Sequence, residues 1–234
     1  MINVNHLSFA FTDRKVLKDL SFTVKQGDIY AILGPNGVGK TTLIKLLTGY
    51  LKADEGHIII NGKEDPYHFA VKDKRMLGMM MPLTGVYREM TGYEYLSFIG
   101  SLYGLNQDSL QKRIEALSSE LQFTHELGRA IKKYSTGTQK KIAYSAAVIG
   151  NVKVLFLDEP FESVDPKVSY EMKQSIKHYV SEGGTVVITS HILETVQNLC
   201  NRYMIIDQGK ILKTDEMHQD QNLEDIYMDV IDHE

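Results

Sequence analysis

Residues 29–47 read IYAILGPNGVGKTTLIKLL, and this stretch sets the architecture that the rest of the chain must fit. Residues 29–33 are apolar without a break, as in a strand that is buried on both faces. Residues 34–42 match the pattern G-x-x-x-x-G-K-[ST], and apolar residues follow at helical spacing. A buried strand, a glycine-rich loop and a helix in this order predict a phosphate-binding loop. An ordinary glycine-rich turn is the alternative, and the flanking elements argue against it.

The side chains of this loop have separate predicted tasks. Gly37 and Gly39 let the backbone turn tightly, so that successive N–H groups point inward at an anion. The helix that begins near Gly39 adds the positive end of its dipole. We expect Lys40 to reach the terminal phosphates of a nucleotide and Thr41 to hold Mg²⁺. The expected nucleotide-binding residues of the loop are Asn36, Gly37, Gly39, Lys40, Thr41 and Thr42.

A second apolar run, residues 154–157, ends in Asp158 and Glu159. A phosphate loop that binds MgATP needs an acid at the end of a neighbouring strand, because carboxylate oxygens complete the shell of the metal through water. We therefore predict that Asp158 lies beside the metal and that Glu159 polarises an attacking water. An acid that ends an apolar strand often simply faces solvent, but the upstream loop favours a nucleotide site.

The remaining pattern predicts an α/β fold. Residues 20–24 alternate between apolar and polar, and residues 185–189 are a third buried-strand pattern. Such strands, separated by helical patterns, are typical of a parallel sheet with helices packed on it, here with an antiparallel β part in the first 63 residues. From about residue 84 to residue 150 the periodicity is helical, which predicts an inserted helical subdomain. No linker-like composition interrupts the chain, so residues 1–234 are expected to form one domain.

In order and spacing, these segments resemble the ATP-binding cassette (ABC) ATPase subunits of membrane transporters along nearly the whole chain. Residues 134–139, YSTGTQ, resemble the family signature L-S-G-G-Q and match it at Ser135 and Gly137. Residues 163–166, SVDP, resemble the D-loop, and residues 189–191, TSH, resemble the segment of the switch histidine. The resemblance implies a P-loop core of ABC type that binds ATP and Mg²⁺.

The resemblance also implies roles for individual residues. His191 would contact the γ-phosphate, and Phe11 would stack on adenine. Ser135 and Gly137 would act on the nucleotide of a second cassette, identical or different, and Asp165 would help communicate across that interface. Plainer interpretations stay open: His191 as a structural hydrogen-bonding residue, Phe11 facing the core, and Ser135 as a helix N-cap.

One part of the chain departs from the family pattern. Residues 77–83 read LGMMMPL, where the family usually has a Gln at the position that is Pro82 or Leu83 here. Neither side chain offers an oxygen to Mg²⁺ or to water. The methionines at positions 76, 79, 80 and 81 either fill the core or form an adaptable apolar docking surface.

Composition excludes several classes of protein. The single cysteine rules out a disulfide framework and a cysteine-rich metal site, and the net charge of −4 gives no reason to expect nucleic acid. Residues 214–234 carry eight acids and no Lys or Arg, while their apolar residues fall on one helical face. We predict a short acidic amphipathic helix at about residues 222–232, with a partner-recruiting tail as the alternative.

No apolar stretch is long enough to span a membrane, and the N-terminus shows no secretory signal. We therefore expect a cytoplasmic subunit, peripheral on the inner face of the membrane, whose partner is a separate membrane-spanning permease. Residues 91–96, 102–105, 134–135 and 190–194 resemble bacterial ABC-2 exporter cassettes. The two rival hypotheses are a soluble ABC ATPase that acts on nucleic acid or the ribosome, and a regulatory cassette that binds ATP without turnover.

Overall fold

In the computed structural model, which describes residues 1–81, 83, 85–218 and 221–232, ten strands form two sheets. The strands are β1 (Ile2–Phe11), β2 (Arg14–Val24), β3 (Ile29–Leu33), β4 (Glu55–Ile60), β5 (Lys63–Glu64), β6 (Leu77–Met80), β7 (Val154–Asp158), β8 (Thr185–Ser190), β9 (Arg202–Asp207) and β10 (Lys210–Glu216). The helices of the same residues are α1 (Lys40–Leu47), α2 (Val71–Lys74), α3 (Gly92–Leu102), α4 (Gln107–Glu120), α5 (Thr136–Val148), α6 (Pro166–Ser181), α7 (Leu193–Leu199) and α8 (Leu223–Asp232).

The smaller sheet is antiparallel, with strand order β2-β1-β4-β5. The larger sheet has the order β10-β9-β3-β8-β7-β6, and only the β9–β10 pair is antiparallel. The expectation that the acid-bearing strand neighbours the loop strand is wrong, because β8 lies between β3 and β7. An apolar run shows that a strand is buried, but it carries no information about which strand lies beside it.

The sequence of β3 is apolar without a break because other elements cover both faces of the strand. Ile29, Ala31 and Leu33 belong to the core beneath the helices α3–α8. Tyr30 and Ile32 belong to a second core, between this sheet, the antiparallel sheet and α1. The larger sheet is thus the middle layer of three, and the carboxyl ends of its parallel strands meet at one edge.

Three long helices, α3, α4 and α5, lie between β6 and β7 along the chain, and α6 follows β7. Helix α3 begins at a capping box, in which Thr91 accepts from the N–H of Glu94 and the Glu94 carboxylate accepts from Thr91. Helices α5 and α6 are joined by a buried ion pair between Lys141 and Glu171. These helices cover one face of the central sheet and fix where α5 begins relative to it.

The C-terminal helix α8 packs on α7. Leu223 is fully buried, and its N–H donates to the side chain of Gln197 on α7. The acidic residues Glu224, Asp225 and Asp229 are less buried, as an amphipathic helix requires. Within the described part of the chain, the helices are too short or too polar to cross a bilayer.

Candidate nucleotide site

The glycine-rich loop connects the end of β3 to the start of α1. Gly39 has φ +116°, and a Cβ at this position would lie 2.8 Å from Leu17 Cδ2, so only glycine fits. Gly39 is also the N-cap of α1 and has no side chain to bond the first-turn N–H groups. These N–H groups and the helix dipole therefore provide an anion site at the start of α1.

Lys40 is almost fully buried, with 6% of its surface exposed. Its Nζ donates to the carbonyls of Gly34 at 2.6 Å and Pro35 at 3.3 Å. The same nitrogen lies 3.3 Å from Oε1 of Glu159, a buried oxygen that accepts no hydrogen bond from the described residues. Lys40 and Glu159 thus form an ion pair without a hydrogen bond between them.

Asp158 is held by two threonine hydroxyls, one on each carboxylate oxygen. Thr41 donates to Oδ2 at 2.6 Å, and Thr189 donates to Oδ1 at 2.5 Å. Thr41 and Asp158 were predicted from the sequence as metal-side residues, whereas Thr189 was not. Its position at the end of a buried strand, two residues before His191, is the pattern from which it could have been identified.

Glu159 has an unusual backbone and two partners for its carboxyl group. Its φ of +44° lies in the left-handed region, and its N–H donates to Thr189 Oγ1 at 3.0 Å. Oε2 lies 3.0 Å from His191 Nδ1, within hydrogen-bond distance. The structure therefore brings Glu159, His191 and Lys40 together, although they come from three separate segments of the chain.

A cavity of about 710 Å³ lies over the loop. Its lining residues are Phe11, Arg14, Lys15, Val16, Lys18, Asn36, Gly37, Val38, Gly39, Lys40, Thr41, Thr42, Glu159, Gln208 and Gly209. Phe11 is 49% exposed and packs edge-on against Phe9, with ring centroids 4.8 Å apart, so the alternative that Phe11 faces the core is wrong. Strand β2 contributes the basic residues Arg14, Lys15 and Lys18, which no sequence motif indicated. Their positive charge suits a phosphorylated ligand of nucleotide size.

Ser135, Gly137 and Asp165 do not line this cavity in the part of the chain that the structure describes. Ser135 is the N-cap of α5 and accepts from the N–H of Thr138 at 3.2 Å, and Asp165 caps α6 in the same way. A Cβ on Gly137 would lie 2.8 Å from Val168 Cγ2, so a glycine here lets the two helix starts pack closely. These three residues form a separate cluster at the starts of α5 and α6.

The side chains that are predicted to hold the metal offer the kind of ligand atoms that suit Mg²⁺. Thr41 and Asp158 offer hydroxyl and carboxylate oxygens, the hard ligands that Mg²⁺ prefers. The described residues contain no group of three or more His, Cys, Asp or Glu side chains placed to hold a metal ion. A magnesium ion here would therefore take its remaining ligands from phosphate oxygens and water.

A second cavity of about 480 Å³ lies beside Thr41 and Asp158, and we call it the methionine groove. Its lining residues are Thr41, Lys45, Tyr50, Met79, Met80, Met81, Leu83, Thr136, Gln139, Lys140, Ala143 and Asp158. Pro82, one of the two positions considered for the absent Gln, lies outside the described residues, whereas Leu83 lines the groove. Met80 is buried, whereas Met81 is 43% exposed. Core filling therefore fits Met80 and a docking surface fits Met81, and neither role holds for every methionine.

A sequence model of the ABC transporter family matches residues 17–162. The chain belongs to the ABC transporter family. It is an ATP-binding subunit of a transporter and an ATPase, and the predictions of family and fold class are confirmed.

Comparisons with individual proteins agree with this assignment. The cassette is 29% identical over 227 residues to the lantibiotic transport ATP-binding protein SrtF of Streptococcus pyogenes, covering 97% of this chain and 96% of that protein. The structure of an ATP-binding subunit of an ABC transporter has a TM-score of 0.90 at 24% identity and covers 99% of both chains. The ATP-binding cassette MJ0796, in a dimeric post-hydrolysis state with ADP and Pi, has a TM-score of 0.82 at 18% identity over 93% of this chain and 99% of that one.

Proposed function

We propose that this cassette hydrolyses ATP in a dimer of cassettes and so powers a membrane-spanning exporter of the bacterial ABC-2 kind. The observation that carries the proposal is the meeting of Lys40, Glu159 and His191 at the phosphate loop, with Asp158 bonded to Thr41 of the same loop. These groups supply a phosphate-binding cation, a metal-side acid, a base and an imidazole. A regulatory cassette without turnover would have no need of the base and the imidazole.

In this proposal the chain acts mainly by positioning and by stabilising charge. The N–H groups at the start of α1 bind the phosphates, and Lys40 turns from the Gly34 carbonyl to the terminal phosphate. Glu159 accepts a proton from the attacking water at its carboxylate, and His191 is close enough to contact the γ-phosphate. Thr41 and Asp158 would hold Mg²⁺, which would supply positive charge to neutralise the phosphates.

The second cassette completes each site. Ser135 is exposed, at a helix start that is a phosphate-binding device, yet it does not line the cavity of its own chain. We therefore assign Ser135 and Gly137 to the nucleotide of the second cassette, and Asp165 beside them to communication across the interface. The partner cassette is either a second copy or a related chain. The dimeric post-hydrolysis state of the MJ0796 cassette supports the pairing of two cassettes.

The methionine groove is the proposed docking surface for the membrane-spanning permease. Tyr50 and Met81 expose large apolar side chains in this groove. A few residues after Met81 in the sequence, Tyr87 pairs with Phe98, with ring centroids 6.3 Å apart. Methionine side chains adapt to the shape of a partner, so the groove suits an apolar segment of the permease on the cytoplasmic side. The exporter assignment rests on residues 134–135 and 190–194 and on the likeness to SrtF.

Co-purification tests this function directly. The tagged chain is isolated from detergent-solubilised membranes, and proteins bound to it are identified by mass spectrometry. A parallel preparation carries Met81→Glu, which puts a charge on the exposed edge of the groove. We expect a membrane-spanning protein with the wild-type chain and much less of it with Met81→Glu. A chain that recovers only ribosomal or nucleic-acid-associated proteins would contradict the proposal.

A further inference from the structure

Lys140 connects helix α5 to the backbone of Glu159. Its Nζ donates to the Glu159 carbonyl oxygen at 2.9 Å, from the fifth residue of α5 to the residue just after β7. Lys140 is half-buried, which lowers the pKa of its ammonium group, while the carboxylates of Glu162, Glu159 and Asp158 oppose this shift. Lys140 thus donates from α5 to the backbone of the residue that carries the proposed base.

The backbone of Glu159 needs such a contact. A residue with a Cβ rarely adopts φ +44°, and such a conformation persists only where its surroundings hold it. Thr189 holds the N–H of Glu159, and Lys140 holds its carbonyl. The peptide groups on both sides of the Cα are therefore fixed by side chains, and their orientation sets the direction in which the carboxylate leaves the backbone.

We infer that Lys140 is a positioning residue for hydrolysis, which acts by holding the backbone of Glu159 and so aiming its carboxylate. The same helix begins beside Ser135, five residues before Lys140, a separation of about 7 Å along a helix. A displacement of α5 by the second cassette therefore reaches Glu159 of its own chain through one hydrogen bond. This inference rests on the proposed role of Glu159.

The test measures hydrolysis of [γ-³²P]ATP in single turnover, with the full-length protein in excess, and ATP affinity separately. For Lys140→Met we expect a rate constant about 10- to 100-fold lower, as for a misplaced catalytic group, with the dissociation constant of ATP unchanged within about twofold. Lys140→Arg should recover most of the rate, because a guanidinium also donates to a carbonyl. The control Lys133→Met removes an exposed lysine and should keep the wild-type rate.

Combining variants separates positioning from a general structural effect. In a Glu159→Gln background, Lys140→Met should cause no further loss, because Lys140 acts only through that carboxylate. A further loss there, or a wild-type rate for Lys140→Met when Glu159→Gln is inactive, would overturn the inference and leave the proposed function intact. If Glu159→Gln itself hydrolyses ATP at the wild-type rate, the proposed role of Glu159 fails, and the inference fails with it.

Discussion

The hydroxyl of Thr189 donates a 2.5 Å hydrogen bond to Asp158 from the adjacent strand, where the two residues are directly paired in the parallel ladder. The same hydroxyl accepts from the N–H of Glu159. The Thr189 side chain thus orients both the carboxylate of Asp158, the proposed metal-side acid, and the backbone of Glu159, the proposed base. The other oxygen of Asp158 stays with Thr41, on the side of the phosphate loop.

Thr189→Val should therefore impair both acids while keeping the shape of the strand. Removing the hydroxyl leaves the Glu159 N–H and one Asp158 oxygen without their partner, which we expect to lower the free energy of unfolding by about 1–3 kcal/mol. ATPase activity should fall about tenfold or more. Denaturant unfolding and a Mg²⁺-ATPase assay measure these effects. Thr189→Ser keeps the hydroxyl and should stay near wild type; equal loss in both variants would contradict this account.

Glu159→Gln should preserve the fold and ATP binding and lower hydrolysis by about 10²- to 10⁴-fold, as expected when a general base is lost. Because ATP is then bound but not consumed, the ATP-bound dimer should accumulate. Gel filtration with light scattering, with and without ATP, measures the dimer. A variant that hydrolyses ATP normally and remains monomeric would show that Glu159 is not the base.

Ser135→Arg should leave ATP binding to the single chain nearly intact but block hydrolysis, because the bulky cation would lie in the interface with the second cassette. Mixing with Lys40→Ala tests that geometry. A mixed dimer has one composite site with an intact loop and an intact Ser135, so part of the activity should return. No recovery at any ratio, in samples where mixed dimers are demonstrated, would exclude the arrangement in trans.

Leu83→Gln should raise the apparent affinity for Mg²⁺. Leu83 lines the methionine groove together with Thr41 and Asp158, and a Gln there would add a side-chain oxygen near the proposed metal site. We also expect the isolated wild-type chain to have low basal ATPase activity and to depend on its membrane partner. Titrating Mg²⁺ against ATPase rate, with Leu83→Asn as a shorter control, measures the effect. A wild-type chain fully active alone at low Mg²⁺, and unchanged by Leu83→Gln, would contradict this prediction.

Cys200, the single cysteine of the chain, should be inert in the native protein. It is buried, and this burial raises the pKa of its thiol far above the usual range, so the reactive thiolate is not formed at pH 7–8. A disulfide reagent such as DTNB should react only after guanidinium is added. Rapid reaction of the native protein would mean that α7 and its surroundings open readily.

The sequence was sufficient to predict the local structure around the phosphate loop. Residues 29–47 are contiguous, so the strand, the glycine turn and the helix follow from local geometry, and Lys40 and Thr41 are where that geometry requires them. The positions of Asp158 and Glu159 at the end of a buried strand were also predictable, because an apolar run followed by acids is a local pattern. These features depend on spacing along the chain, which the sequence states directly.

Only the tertiary structure decided how these segments meet. The insertion of β8 between β3 and β7 brings Thr189 to Asp158, and the packing of α5 brings Lys140 to Glu159. Strand order and helix placement depend on the simultaneous burial of many distant side chains. Apolar contacts have little direction, and so the pattern of apolar residues says which segments are buried and leaves their neighbours to the complete fold.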